Sequence, residues 1–122
     1  MNIGINQGIV MGTLSHSPVF YENENGTLIA IIYTNSLYTD KVGQFRKASY
    51  GHRVAFPKHL AARAKNFLVK GVPIHINAIL QTEKIMDSKG EVRFTTTLFV
   101  RNFALLNKEN NAILYFDEDG LN

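Results

Sequence analysis

The sequence predicts an all-β protein: a five-stranded barrel with one α-helix between strands 3 and 4. Three observations predict it. Short apolar runs alternate with period two, turns rich in Gly and Asn separate them, and only one segment has helical period. The 122 residues, 45% of them hydrophobic, supply one domain with a modest core. A chain of this size buries only about two-thirds of its unfolded surface, so association with further copies is an expectation.

Ile3, Ile5, Ile9 and Met11 alternate on one face of a first strand, with Gly4, Gly8 and Gly12 on the other, and the glycines allow a sharp bend. Asn23-Glu24-Asn25-Gly26 is a turn, Asn-Gly being a strong hairpin signal. Residues 27–34 are apolar on both faces and form a second, central strand. Residues 35–48 are polar and basic, contain Gly43, and read as a long loop before a third strand over 49–56. Pro57 opens the helix, Leu60, Ala64, Phe67 and Leu68 form its apolar stripe, and Lys70-Gly71 with Pro73 close it. Ile74, Ile76, Ala78 and Leu80 then alternate as a fourth strand, Asp87-Ser88-Lys89-Gly90 is a turn, and Val92, Phe94, Thr96, Leu98 and Val100 alternate as a fifth. Three strands, a helix and a two-strand hairpin is the OB-fold order. The domain is expected over residues 1–106. Residues 107–122 read as a short acidic C-terminal tail in which Ile113, Leu114, Tyr115 and Phe116 are embedded.

Several function classes fall away. The chain has no cysteine, which removes disulfides and thiolate metal sites. His16, His52, His59 and His75 fall in different elements, none at a metal-ligand spacing from another His or a carboxylate, so no metal and no cofactor is predicted. No phosphate loop, nucleophile elbow or carboxylate pair is visible, and no enzyme is expected. Residues 1–14 lack the basic and apolar regions of a signal peptide, and the longest apolar run, residues 28–33, has strand length. No membrane partner is expected, and the predicted location is cytoplasmic and nucleoid-associated.

The net charge of +3 is unevenly spread. Residues 1–106 carry twelve Lys and Arg against six Asp and Glu, whereas residues 107–122 carry one against four. Between Asp40 and Glu83 there are eight basic residues and no acidic one. Such a basic body suits a polyanion. Aromatic residues lie among the cations: Tyr38 near Lys41, Tyr50 and Phe56 bracketing Arg53, Phe94 beside Arg93. Opposite the apolar side of the fifth strand come Arg93, Thr95, Thr97, Phe99, Arg101 and Phe103. Flat side chains stack on bases and cations track phosphates, which together hold a single strand with little sequence preference. The candidate DNA-binding residues are Tyr38, Lys41, Arg46, Lys47, Tyr50, Arg53, Phe56, Lys84, Lys89, Arg93, Phe99 and Arg101. For any one ring a place in the core is the alternative reading, above all for Phe67 on the helix stripe.

The stretch His52-Arg53-Val54-Ala55-Phe56, then Leu60-Ala61, then Phe67-Leu68-Val69-Lys70-Gly71, resembles the bacterial single-stranded DNA-binding protein (SSB) family. Thr82-Glu83-Lys84, Asp87-Ser88-Lys89-Gly90 and Arg93-Phe94-Thr95-Thr96 are similar to that family's hairpin, and Gly12-Thr13-Leu14 and Asn25-Gly26-Thr27 to its first strand and turn. The resemblance spans residues 3–106. It implies an OB-fold that forms homo-oligomers, tetramers in preference to dimers, and wraps single-stranded DNA. The family's loop tryptophan falls on Tyr38. Its tryptophan before His-Arg-Val falls on Gly51, and the phenylalanine six residues on falls on Pro57. A shift of one residue moves these two to Tyr50 and Phe56 and keeps them on one face; that shifted register is preferred here. The hairpin tryptophan corresponds to Ile85, and the chain has no Trp. The tail, ending Asp117-Glu118-Asp119-Gly120-Leu121-Asn122, lacks the family's usual closing signature, though it is acidic enough to receive replication or recombination proteins.

The expected function is a non-catalytic coat for single strands in replication, recombination and repair. The alternative is a primosomal-type module that keeps the OB-fold and recruits replication proteins. RNA stays open as a partner because stacking and charge do not read the sugar.

Overall fold

A computed structural model describes residues 4–107, 109 and 111–117. The order is β1 (Gly8–Thr13), β2 (Val19–Glu22), β3 (Leu28–Thr39), β4 (Phe45–Phe56), α1 (Lys58–Phe67), β5 (Pro73–Met86), β6 (Val92–Leu106) and β7 (Ala112–Asp117). The described residues are mostly strand with one helix. They form seven strands where five were expected, and the helix sits between the fourth and fifth of them.

The predicted first strand is observed as β1, which pairs antiparallel with β5; the first extra strand is β2, just before the Asn23–Gly26 turn, which pairs antiparallel with β3. Ile9 and Met11 do share a face, and it is the exposed one; Val10 points to the core. Ile5 precedes β1, and Ile3 lies outside the described residues. The second extra strand comes from the expected tail. β7 pairs antiparallel with β6, and Phe116 is buried. The acidic tip, Glu118 and Asp119, lies outside the described residues.

The sheet runs β1-β5-β6-β4-β3-β2, with β7 on the side of β6. This path is open. Its flanks approach at one isolated bridge, Leu14 to Thr34. Residues 35–48, expected as a loop, are instead the outer half of the β3–β4 hairpin, with register continuous from Asn35↔Ser49 to Thr39↔Phe45. Their polar composition marks a ribbon wet on both faces, since the ladder bonds need no apolar side chain.

The core gathers Leu14, Leu28, Ile32, Val54, Leu60, Leu68, Ile74, Ile76 and Phe103, all essentially without exposure. Pro57 precedes α1 in an extended conformation, and Leu68 ends it with its N–H donating to the Ala64 carbonyl. Leu60, Ala61 and Ala64 face inward from the helix. Phe67, expected in the core, is 37% exposed and stacks on Phe116 at 5.4 Å between centroids, so it covers the core's edge.

Candidate nucleic-acid interface

The interface follows from how β4 and β6 meet. They run parallel and pair only at Val54↔Leu98 and Ala55↔Phe99. Before those residues each strand belongs to a separate hairpin, β3–β4 or β5–β6. Two ribbons therefore leave the same end of the sheet, unjoined to each other. Gly51, His52, Arg53, Leu80, Thr96 and Leu98 line the cleft where they part.

The two arms end in the same device. In one, Asp40 Oδ1 accepts the N–H groups of Val42 and Gln44, and Oδ2 accepts Arg46 Nε at 2.9 Å. In the other, Asp87 Oδ1 accepts those of Lys89 and Glu91, and Oδ2 accepts Arg93 Nε at 2.8 Å. Gly43 and Gly90 sit at the third position after the aspartate with φ of 83° and 80°, which a side chain rarely adopts. The signal is thus Asp-x-x-Gly-x-x-Arg, written twice in the sequence. Beside the guanidinium, backbone N–H groups help hold each carboxyl below its ordinary value, so both stay ionised at working pH.

Just behind each tip, a ring stands opposite a cation and an aliphatic side chain opposite another. Tyr38 faces Arg46 and Leu37 faces Lys47; Phe94 faces Lys84 and Ile85 faces Arg93. Phe94 is 73% exposed and Tyr38 48%, with Leu37, Val42, Phe45 and Met86 also open to solvent. Among the described residues Lys41, Lys47, Lys84 and Lys89 have no carboxylate at ion-pair distance. Rings that water would otherwise force inward remain outside, Phe94 opposite the uncompensated Lys84 and Tyr38 opposite Arg46, which Asp40 pairs. That is the arrangement an unpaired polyanion with flat bases requires.

Alternation divides the candidate residues between two faces. Lys47, Arg53, Arg93 and Phe99 share one, and Tyr38, Arg46, Tyr50 and Lys84 the other, while Lys41 and Lys89 stand at the tips. Arg101 stands at the register shift at Asn77/Ala78, where β6 carries one residue more than β5.

Arg53 is more tightly held than its sequence context shows. Its guanidinium donates to Thr97 Oγ1 and the Tyr21 hydroxyl, lies 3.7 Å from Glu83, and sits over the Tyr21 ring. Thr97 in turn donates to Glu83 at 2.7 Å. One cation thus ties β2, β4, β5 and β6 together. On the opposite face of β4, His52 lies 3.3 Å from Thr34 Oγ1, and burial pushes its imidazole below the ordinary value, which keeps it neutral at pH 7.

One expectation is corrected. Phe56 has no exposure; its ring packs edge-on against Phe103 at 5.4 Å, so no base can reach it. Tyr50 is open and shares the face of Tyr38 and Arg46. Both follow from β4 running out of the core: its inward positions are closed at Val54 and Phe56 and open at Tyr50. The shifted register therefore loses its reason. A ring does occupy the Gly51 position, but it comes from the neighbouring strand. Tyr33 is the cross-strand partner of Gly51, and a Cβ at 51 would come within 2.7 Å of the Tyr33 ring. The glycine lets Tyr33 lie across β4, where it meets His16 edge-on at 5.0 Å. Sequence reasoning missed Tyr33 because it sits in the most apolar run of the chain. The signal was there in the pairing of a strand glycine with a cross-strand ring.

The aspartate tips carry an expected result. Asp40→Asn with Asp87→Asn keeps the side-chain oxygen for the turn N–H groups and removes the carboxylate that competes with phosphate for each arginine. Oligo-dT affinity should rise at low salt, and the salt slope should steepen by up to about 0.7 per arginine released. Titration by fluorescence polarisation at several salt concentrations measures both.

The model of the single-strand binding protein family matches residues 5–106 of this chain. The chain belongs to that family. The single-strand binding protein fold recurs in solved structures. The Plasmodium falciparum SSB in complex with ssDNA superposes with a TM-score of 0.66 at 16% identity, over 88% of this chain and 100% of that one. The small single-stranded DNA-binding protein from Streptomyces coelicolor gives 0.61 at 17% identity, over 86% and 96%. At such identities the likeness is one of fold, and the family match carries the membership.

Proposed function

We propose that this chain coats single-stranded DNA without catalysis, and that it serves replication, recombination and repair in the cytoplasm at the nucleoid. The observation that carries the reading is the pair of arms. Each sets an exposed ring opposite a cation, and both leave the same end of one sheet. Tyr38, Phe94 and Tyr33 would take bases; Lys41, Lys47, Lys84, Lys89, Arg46 and Arg93 would take phosphates. Arg53 would act from within the sheet, holding the surface the strand crosses. No helix among the described residues is long and apolar enough to cross a membrane.

The architecture we favour is a five-strand OB barrel. The Leu14 bridge to Thr34, the Leu14 N–H on the Val72 carbonyl and the Ser15 N–H on the Tyr33 carbonyl support counting β1 and β2 as one bent strand that closes the sheet. We further propose homo-oligomers, tetramers in preference to dimers. β1 ends the sheet with Ile9 and Met11 exposed, an edge suited to pairing with another copy. The acidic tip is proposed to receive replication or recombination proteins.

Titrating the protein with labelled oligo-dT tests the reading. Tight binding, quenched tyrosine fluorescence, weak sequence preference and a salt slope of about −0.7 per neutralised phosphate are expected. Competition with oligo-rU separates DNA from RNA preference. Absence of binding at low salt would overturn the coat function.

A further inference from the structure

The corner between β1 and β2 lies against the face of β4 that carries Lys47 and Arg53. Ser15 makes the contact. Its N–H donates to the Tyr33 carbonyl at 2.9 Å, and its hydroxyl oxygen lies 3.1 Å from Ser49 Oγ on β4. The next residue, His16, is exposed and meets the Tyr33 ring edge-on at 5.0 Å. On this face β4 presents Lys47, Ser49, Gly51 and Arg53 in turn. The two cations are six residues apart, about 20 Å along the strand. Between them that line carries no charge, and Tyr33 lies across the gap. His16 is the titratable side chain beside it.

The hydrogen bonds at Ser15 fix where a proton goes. Ser15 Oγ lies 2.8 Å from His16 Nδ1, 3.1 Å from Ser49 Oγ and 3.2 Å from the Tyr33 carbonyl. A hydroxyl has one proton to give and two lone pairs to offer. All three contacts are satisfied together only when Nδ1 and Ser49 both donate to Ser15 and Ser15 donates to the Tyr33 carbonyl. With Nδ1 bare, the single Ser15 proton must serve either the imidazole or the carbonyl. The network therefore holds a proton on Nδ1, and a second proton on Nε2 makes the ring a cation. Among the described residues no carboxylate stands at ion-pair distance to neutralise it. The elements packed on this corner present Tyr33 from β3, Lys47 and Arg53 from β4, and Lys70 from the loop whose Gly71 donates to the Leu14 carbonyl. The carboxylates of the neighbouring strands are engaged elsewhere, Glu22 by Lys65 and Glu83 by Thr97 and Arg53.

We infer that His16 is a phosphate-binding residue beside Tyr33, and that it grips the strand only when doubly protonated. The inference rests on the proposed coat function and adds a proton to it. Imidazole gains its charge between about pH 5 and 8. A phosphate beside the ring favours the charged form, so binding the strand takes up a proton. The contribution of His16 is then complete in mild acid and is lost as pH rises through the imidazole range.

The test is titration of the protein with labelled oligo-dT at pH 5.5 and pH 8, over a series of salt concentrations, alongside His16→Gln and His16→Arg. Affinity of the parent should fall roughly tenfold from pH 5.5 to pH 8, as for one lost charge-assisted bond, and its salt slope should become shallower by about 0.7. His16→Gln should bind at both pH values as the parent does at pH 8. His16→Arg, with a fixed charge, should restore tight binding at pH 8. His16 is exposed, so both variants should melt as the parent does. Equal weakening of His16→Gln at both pH values, with no rescue by His16→Arg, would reduce the ring to a brace for Tyr33 and overturn the inference. A pH profile unchanged in His16→Gln would overturn it too, and in both cases the coat function would stand. No binding by the parent at either pH would overturn both.

Discussion

Tyr38→Ala combined with Phe94→Ala is expected to weaken oligo-dT binding by about 2–6 kcal/mol, because each stacked base contributes about 1–3 kcal/mol. The two residues sit on different hairpins and share no partner, so their effects should add. Both rings are open to solvent, and neither contributes to the core cluster. The melting temperature should therefore hardly move, since surface changes of this kind stay within about 0.5 kcal/mol. Fluorescence polarisation gives the affinity and a thermal melt gives the stability. Unchanged affinity in the double variant would remove the arms from the interface.

Phe56→Ala should do the reverse. The side chain is fully enclosed and its ring packs against Phe103, which in turn contacts Phe116 at 4.8 Å and, through it, Phe67. Truncating a buried Phe costs about 3–5 kcal/mol, a large share of the roughly 5–15 kcal/mol that holds a typical domain. Chemical denaturation should show this loss directly. The fraction still folded should bind oligo-dT with parental affinity. A variant that kept its stability and lost its affinity would return Phe56 to the interface.

These two outcomes separate what the sequence discloses from what only the fold discloses. Alternation in β5 and β6 was legible because one face of each is buried, which fixes register. α1 was legible from Pro57, the stripe from Leu60 to Leu68, and the glycine after Lys70. The arm at residues 35–48 was not, because a ribbon exposed on both faces has no hydrophobic alternation to betray it. Phe56 was misassigned because Tyr50 and Phe56 do share a face of β4, as their spacing says, but spacing cannot tell where along a strand that face passes from water to core. Tyr33 was overlooked because its role depends on a glycine of another strand. Lys41, Lys47, Lys84 and Lys89 lie open, while Arg53 proved to be tied to Tyr21, Thr97 and Glu83.

The most direct measurement of the whole account is an amide chemical-shift map of the protein on titration with oligo-dT. The perturbed residues should be Tyr33 and Gly51, and the two arms around Tyr38 and Phe94. Perturbations confined to α1 and β7, with both arms silent at saturation, would contradict it.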